Sequence, residues 1–431
     1  MADNSSYRQR VLDHELDDLM TSLPAIAVEG AKGVGKTATA RQRAATLLML
    51  DDPAQVELVR ADPERALTSP PTVLIDEWQR FPSLWDGVRR AVDEGAEPGS
   101  YLLTGSAGPR LAADGPGTHS GAGRIDVLRM RPMALCERLD TEPTVSLSTL
   151  ATGGRPAIEG ESDLRLEGYV DEIVRSGFPG IRSLDGRALS LRLAGYLDRV
   201  IDRDIPDELG RQMRKPQALR RWLQVYAAAT SSTMTSVKIR EAAGGRDTPP
   251  ATHTTRSYHE ALERLFILDP VPGWSRSNNR LARLNLAPKH QLVDPALAAN
   301  LLGAGPDALL TGNEPRTPVP RDGTLLGALF ESLATLSIRV CAQPSDLTVG
   351  HLRTKGGVRE VDLILEDRAG QVVAIEVKLS ATVEDHDVRH LNWLSRELGD
   401  DLLDSIIITT GLKAYRRSDG VAVVPLALLG P

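Results

Sequence analysis

The chain has little cysteine, no apolar run of about 18 residues and no hydrophobic core of a signal peptide near its first residue. Cys136 and Cys341 lie far apart and show no spacing typical of a metal site or a disulfide framework. We therefore expect two small buried side chains in a reducing cytosol, no membrane span and a cytoplasmic location. With 41% apolar and 25% charged residues among 431, the composition predicts a globular chain of about two to four domains.

Negative charge predominates, but it is unevenly distributed. The net charge is −7, yet residues 205–300 contain 14 Lys or Arg against 8 Asp or Glu. A basic middle in an acidic chain indicates that a polyanion such as DNA would contact the middle segment.

A phosphate-binding motif follows the first apolar run. Residues 25–28 predict a buried strand, and residues 30–37 satisfy G-x-x-x-x-G-K-[ST] before a helical pattern over 38–50. Glycines allow backbone amides to surround phosphate oxygens, Lys36 would hold the β- and γ-phosphates, and Thr37 would bind Mg²⁺. The predicted nucleotide-binding residues are Gly30, Ala31, Lys32, Gly33, Val34, Gly35, Lys36, Thr37 and Ala38.

A second apolar run places two carboxylates at a strand end. After a short predicted strand at 56–59, residues 72–75 lead directly into Asp76 and Glu77. Asp76 suits the magnesium shell, and Glu77 suits polarisation of the water that attacks the γ-phosphate. A third strand, 101–106, ends in the hydroxyls of Thr104 and Ser106, which would either sense the γ-phosphate or cap a turn.

Residues 110–123 predict a mobile Gly- and Pro-rich loop that leads to a strand beginning near Arg124. Arg124 would stabilise transition-state charge in its own subunit or in a neighbouring one. The alternative is an ordinary surface arginine. Residues 142–163, rich in Thr, Ser and Gly, predict a loop or insertion.

Together these segments resemble the bacterial and archaeal AAA-type ATPases that have a C-terminal nuclease-like domain of formerly unknown function. The resemblance rests on the P-loop, Leu74-Ile75-Asp76-Glu77-Trp78-Gln79-Arg80, Leu103-Thr104-Gly105-Ser106, Gly123-Arg124 with Pro132 and Glu137, Ser176-Gly177-Phe178-Pro179-Gly180, residues 196–205 and the C-terminal motif described below. It implies an α/β fold: a P-loop NTPase core with a helical lid, a winged-helix middle domain and a restriction-endonuclease-like C-terminal domain. The resemblance also implies ATP rather than GTP. The sequence itself shows no motif that would read the base, so this expectation depends on the resemblance alone.

The domain bounds follow from these patterns. We expect the AAA-type core and lid at 1–205, a winged helix at 206–302, a Pro- and Gly-rich linker at 303–322 and the nuclease-like domain at 323–431. The third middle helix, near 254–268, would face a DNA groove, with Arg276, Arg280 and Arg283 on the wing. Winged helices also pack against proteins, so this alternative stays open.

The C-terminal segment predicts a β-hairpin that carries acidic residues. Strands at 360–365 and 371–378 are joined by a turn, and antiparallel pairing would bring Asp362 opposite the end that carries Glu376 and Lys378. With Glu331 from a preceding helix, these carboxylates could hold one or two Mg²⁺ ions, and Lys378 could orient or deprotonate water. The pattern resembles the PD-(D/E)xK nucleases, although any charged hairpin can mimic so short a motif.

The leading hypothesis is an ATP-hydrolysing protein that engages DNA and carries a magnesium-dependent nuclease-like domain. Its cofactors would be ATP and Mg²⁺, and it would form homo-oligomers if Arg124 acts on a neighbouring subunit. The alternative is a non-nucleolytic, ATP-switched regulator or scaffold that binds DNA or protein. A signalling ATPase with no nucleic-acid role is a third possibility.

Overall fold

The computed structural model describes residues 7–106, 121–208, 215–245, 248–276, 283, 286–313, 319 and 323–431. Most of the loop predicted at 110–123, as well as Arg280, lies outside these residues. The chain divides into two compact units, one formed by Met1–Pro132 with Ala261–Ile267 and the other by Met133–Glu260 with Leu268–Pro431.

The first unit is built on a parallel sheet. Its strands follow the order β2-β3-β4-β1-β5, and the three central strands are buried along their whole length. Such complete burial explains why their sequences are continuous apolar runs rather than alternating ones. The elements are α1 Val11–Leu19, β1 Ala25–Glu29, α2 Lys36–Arg41, β2 Thr46–Met49, α3 Pro53–Ala61, α4 Pro63–Leu67, β3 Val73–Asp76, α5 Ser83–Asp93, β4 Tyr101–Gly105 and β5 Asp126–Arg129.

Two expectations for this unit were wrong. The helix predicted over 38–50 ends at Arg41, and Thr46–Met49 forms a strand that pairs with β3, so tertiary pairing outweighs the helical propensity of this Ala- and Leu-rich run. The strand predicted at 56–59 lies within α3. Its two valines are spaced for a helix face, and Asp52 caps the helix by accepting a hydrogen bond from the amide of Ala54.

The second unit combines many helices with a mixed sheet of strand order β7-β12-β13-β11-β10-β9-β8. Its helices are α6 Leu135–Arg138, α7 Leu147–Ala151, α8 Leu166–Arg175, α9 Pro179–Arg182, α10 Gly186–Arg199, α11 Ile205–Glu208, α12 Pro216–Ala228, α13 Ser236–Gly244, α14 Thr252–Arg264 (which continues past the division at Glu260), α15 Pro295–Leu302, α16 Pro306–Thr311, α17 Leu325–Ala342 and α18 Arg389–Leu398. Its strands are β6 Val145–Ser146, β7 Gly160–Glu161, β8 Thr348–Arg353, β9 Glu360–Glu366, β10 Val372–Val377, β11 Leu402–Thr409, β12 Lys413–Arg416, β13 Ala422–Pro425 and β14 Leu429–Gly430.

The segment predicted as a loop at 142–163 contains regular structure instead. Strand β6 pairs with β14 at the C-terminal end, and β7 pairs with β12 at the edge of the seven-stranded sheet. Two-residue strands give too short a pattern to detect in the sequence, because their pairing partners lie more than 250 residues away.

Helix α17 is the main apolar helix of the second unit. By length and composition the stretch Leu325–Ser345 could cross a membrane, but 72% of it is buried inside the structure, as in the core helix of a globular unit. Its burial fixes the position of Glu331, which α17 carries among apolar neighbours.

Candidate functional site

The P-loop connects β1 to α2 in the first unit. Gly35 has a φ of 110° and precedes the first residue of α2, a left-handed conformation that favours glycine. A Cβ atom on Gly30 would lie 2.1 Å from the carbonyl oxygen of Met130, so no larger residue fits there. The glycines of the motif are therefore required by the path of the chain.

Lys36 is buried and folds back onto its own loop. Its Nζ donates hydrogen bonds to the carbonyl oxygens of Gly30 at 2.8 Å and Ala31 at 3.0 Å. Burial lowers the pKa of Lys36 to about 8, although Glu77 and Asp76 oppose the shift. An arriving phosphate would supply the negative charge that this buried ammonium lacks.

Asp76 collects two hydroxyl groups at the end of β3. Thr37 Oγ1 donates a hydrogen bond to Asp76 Oδ1 at 2.6 Å, and Thr104 Oγ1 donates to the same oxygen. The parallel register of β3 and β4 places Asp76 beside Thr104. A carboxylate with an adjacent hydroxyl is an oxygen donor set that suits Mg²⁺, so Thr37 and Asp76 fit the ion that the sequence predicts.

Glu77 occupies the turn that follows β3. Its φ of 55° and ψ of 44° are left-handed, which is uncommon for a residue other than glycine. Gln79 Nε2 donates a hydrogen bond to Glu77 Oε2, and Ser106 Oγ lies 3.4 Å from the same oxygen. Gln79 therefore orients the predicted catalytic carboxylate, a role that its position in the sequence does not reveal.

Arg124 has its contacts elsewhere. Its Nε donates to Asp93 Oδ1 at 2.8 Å, and its side chain is 47% exposed. It is not among the residues that converge on Asp76, and its action on a nucleotide stays a prediction.

Two further charged residues beside the P-loop were missed. Arg10 is buried and donates to the carbonyl oxygens of Val34 and Arg131, each at 2.9 Å, which joins the loop to the segment that follows β5. Glu29 is buried, and its Oε1 accepts no hydrogen bond from any residue that the structure describes. Burial raises the pKa of Glu29 to about 7, partly offset by Arg129 and Lys36. Arg10 lies 24 residues before Val34 in the sequence, so only the fold brings it to the loop.

The C-terminal carboxylates come together in the second unit. Strands β9 and β10 are antiparallel, and their register ends with Leu363 opposite Ile375, which are the direct chain neighbours of Asp362 and Glu376. The amide of Val377 donates to Asp362 Oδ2 at 2.9 Å, and Lys378 Nζ donates to Glu376 Oε1 at 2.9 Å. The hairpin and its register agree with the sequence prediction.

Lys289 was not predicted to lie here. Its Nζ is 2.9 Å from Glu331 Oε1, 2.9 Å from Asp362 Oδ1 and 3.5 Å from Glu360 Oε1, and its side chain is 1% exposed. We call Lys289, Glu331, Glu360, Asp362, Glu376 and Lys378 the carboxylate–lysine cluster.

The electrostatics of the cluster reflect an excess of carboxylates. Burial would lower the pKa of Lys289, but attraction to Asp362 and Glu331 outweighs it and holds that pKa well above its usual value. Burial, together with repulsion from Asp362, raises the pKa of Glu331 and of Glu376 to about 8. One oxygen of Glu376, Oε2, is buried and has no hydrogen-bond partner among the described parts of the chain.

A divalent metal does not fit the cluster as it is folded. An ammonium group already bridges Glu331 and Asp362, the two carboxylates predicted to share the ion with Glu376. Within the described ranges, no group of three or more His, Cys, Asp and Glu side chains is arranged to hold a metal. Of the three carboxylates predicted to bind metal here, Glu331 and Asp362 share Lys289, and Glu376 is paired with Lys378.

The arginines predicted on the wing contact acidic and carbonyl groups. Arg283 forms a bidentate pair with Glu366 on β9, with N–O distances of 2.6 and 2.9 Å. Arg276 donates to the carbonyl oxygen of Glu397 and lies 3.4 Å from Asp401. By contrast, Arg256 on α14 is 79% exposed, with its guanidinium near Glu260.

Comparison with known families agrees with the geometry of the first unit. A family model described as AAA domain matches residues 22–139. Two models described as domains of unknown function, DUF8612 and DUF4143, match residues 166–308 and 326–429. The chain carries an AAA-type P-loop ATPase domain.

Similar proteins add little about function. The uncharacterized proteins Rv2008c of Mycobacterium tuberculosis and Mb2031c of Mycobacterium bovis are each 24% identical over 412 residues, which covers 93% of this chain and 80% of each relative. The Walker-type ATPase PABY2304 of Pyrococcus abyssi is 14% identical, with a TM-score of 0.39 and coverage of 69% of this chain and 97% of that one. The ORC2 protein of Aeropyrum pernix is 13% identical, with a TM-score of 0.33 and coverage of 72% and 97%. Such low TM-scores do not indicate a common fold for the whole chain.

Proposed function

We propose that this protein binds ATP with Mg²⁺ at the P-loop and hydrolyses it with Glu77 as the group that activates water. The observation that carries the proposal is the convergence of Thr37 and Thr104 on Asp76, one residue before Glu77. Mg²⁺, held by Thr37 and Asp76, would neutralise phosphate charge.

Hydrolysis assigns a distinct task to each side chain. Lys36 would exchange its bonds to loop carbonyls for phosphate oxygens. Glu77, oriented by Gln79, would accept a proton from the water as its oxygen bonds to the γ-phosphorus and ADP leaves with the bridging oxygen.

Phosphate release and ATP binding test this assignment. Glu77→Gln should bind ATP normally and lose about 10²-fold or more in the hydrolysis rate, because the amide cannot accept the proton. Lys36→Ala should weaken ATP binding at least about tenfold. Glu64→Gln, an exposed change on α4, is the control. Full hydrolysis by Glu77→Gln would reject Glu77 as the activating group.

We propose further that helices α12 to α14 form a winged helix that contacts DNA through α14. The basic balance of residues 205–300 and the bridges Leu268 to Leu292 and Val271 to Lys289 after α14 support this assignment. Arg256→Gln should weaken DNA binding about threefold to tenfold at low salt. It should also reduce, by about one, the steepness with which the logarithm of the binding constant falls with the logarithm of salt concentration. Arg60→Gln, exposed on α3, is the matched control. Salt-independent binding, or none, would favour a protein-binding module.

The carboxylate–lysine cluster is the candidate centre for phosphodiester cleavage, which would need an ion bound outside the position that Lys289 fills between Glu331 and Asp362. The alignment of Asp362 with Glu376 and the bond from Lys378 to Glu376 favour it. The test is cleavage of single- and double-stranded DNA and RNA with Mg²⁺ or Mn²⁺, with and without ATP. A nuclease would lose this cleavage in Asp362→Ala with Glu376→Ala. If no condition gives cleavage while ATP hydrolysis is intact, the non-nucleolytic regulator is the function.

A further inference from the structure

Lys289 is held rigidly between the carboxylates. Its backbone N–H and C=O each pair with Val271 at 2.9 Å, and its Nζ contacts Glu331 and Asp362 at 2.9 Å. Both ends of the residue are therefore fixed, and the side chain is almost fully shielded from water.

An ammonium and a metal ion cannot share this position. Mg²⁺ binds oxygen at about 2.1 Å and Ca²⁺ at about 2.3 to 2.6 Å, whereas both carboxylate oxygens here lie at ammonium hydrogen-bond distance from one nitrogen. A divalent ion between Glu331 and Asp362 would have to displace Lys289. Buried carboxylates do require a cation, and the chain itself supplies one.

We propose that Lys289 is the built-in cation of the carboxylate–lysine cluster, and that it keeps divalent metal ions out of the position between Glu331 and Asp362. This inference concerns the same cluster as the cleavage proposal, but it rests on the contacts of Lys289 and not on that proposal. Removal of the ammonium should turn Glu331, Asp362 and the unpartnered oxygen of Glu376 into a divalent-cation site.

The test is Mn²⁺ binding by the nucleotide-free full chain, measured by calorimetry and by the loss of the electron paramagnetic resonance signal of free Mn²⁺. Wild type and Lys413→Met, which removes an exposed lysine, should lack a tight site. Lys289→Met, which keeps much of the side-chain volume, should bind Mn²⁺ at least about tenfold more tightly than wild type. Adding Asp362→Asn to Lys289→Met should abolish the gain in Mn²⁺ affinity.

A second variant guards against loss of folding. Lys289→Met leaves the carboxylates without their ammonium, whereas Lys289→Met with Glu331→Gln also removes one of the two carboxyl groups that the ammonium bridges and retains Asp362 and Glu376. The double variant should melt near the wild-type temperature and bind Mn²⁺ more tightly than wild type. A folded double variant without a new site would overturn the proposal, as would tight Asp362-dependent Mn²⁺ binding by wild type.

The outcomes separate this inference from the nuclease proposal. If Lys289→Met binds Mn²⁺ but no variant cleaves nucleic acid, Lys289 is the built-in cation and the nuclease proposal fails. If wild type cleaves DNA with Mg²⁺ in an Asp362-dependent manner and binds the ion there, the nuclease proposal holds and Lys289 does not exclude metal.

Discussion

At the scale of single residues, Arg10 is the clearest case of a side chain that acts on the P-loop from outside the motif. Its two hydrogen bonds, each 2.9 Å, hold the carbonyl oxygens of Val34 and Arg131. The loop therefore keeps its shape partly because of a residue that precedes the first strand.

Arg10→Ala should lower the free energy of unfolding by about 3 kcal/mol, because two buried carbonyl groups lose a charged donor. The ATP dissociation constant should rise at least about tenfold as the loop loses its anchor. Thermal melting and calorimetry measure the two effects. Arg10→Lys, which keeps the charge but loses the forked geometry, should fall between wild type and Arg10→Ala; unchanged ATP affinity in Arg10→Ala would rule out the anchoring role.

Glu29 makes stability depend on pH. Its folded pKa of about 7 lies above the ordinary carboxyl value, so the folded state holds a proton that the unfolded chain releases. Its contribution is fully present below about pH 4.5 and is lost as the pH rises through 7.

Glu29→Gln cannot titrate and should gain stability relative to wild type between pH 5 and pH 8, by up to about 3 kcal/mol. Melting temperatures of both proteins across this range test the prediction, with the exposed Glu57→Gln as control. A constant difference between Glu29→Gln and wild type would show that Glu29 has an ordinary pKa in the folded protein.

At the scale of elements, a buried ion pair joins β11 to β12. Arg416 Nη1 and Nη2 contact the two oxygens of Asp404 at 2.8 and 2.9 Å, and Arg416 also donates to the carbonyl oxygen of Pro156. Asp404 is fully buried. Because Arg416 also bonds to Pro156, the pair connects the segment before β7 to the sheet.

Asp404→Asn should destabilise the protein by about 3 to 5 kcal/mol, since it leaves a largely buried guanidinium without its counter-charge. The neighbouring Asp419→Asn disturbs a more exposed pair with Arg417 and should cost no more than about 1 kcal/mol. Chemical denaturation measures the loss in the free energy of unfolding for both variants. Equal losses in the two variants would mean that burial does not decide the strength of these pairs.

The sequence predicts elements well where the chemistry is local. The P-loop, β3 with Asp76 and Glu77, and the β9–β10 hairpin all depend on residues close together in the chain. The helix predicted over 38–50 was wrong because Thr46–Met49 pairs with β3, a contact that composition does not encode.

At the scale of the whole molecule, the least predictable feature is Lys289. Nothing near it in the sequence marks it as a partner of Glu331 and Asp362, because only long-range packing brings these residues together. For the same reason Cys136 and Cys341, which the sequence shows as unrelated, lie with their sulfur atoms 3.8 Å apart.

Residues 323–431 should not fold stably by themselves, although we predict a domain with these bounds. Alone they would lack Lys289, the strand β7 that pairs with the outer side of β12, and the strand β6 that pairs with β14. Circular dichroism melting and amide NMR dispersion of this fragment measure the effect, with the full chain as control. A cooperative melt with well-dispersed resonances would contradict the expectation.

The bond between Lys289 and its carboxylates also bears on how relatives diverge. The two family matches separate the partners, because Lys289 lies within residues 166–308 and the acidic residues lie within 326–429. A neutral residue at position 289 would leave buried negative charge, and neutral residues at positions 331 and 362 would leave a buried ammonium. These positions should therefore covary among homologous chains, and a hybrid gene that combined the two segments from different lineages would inherit a mismatched charge.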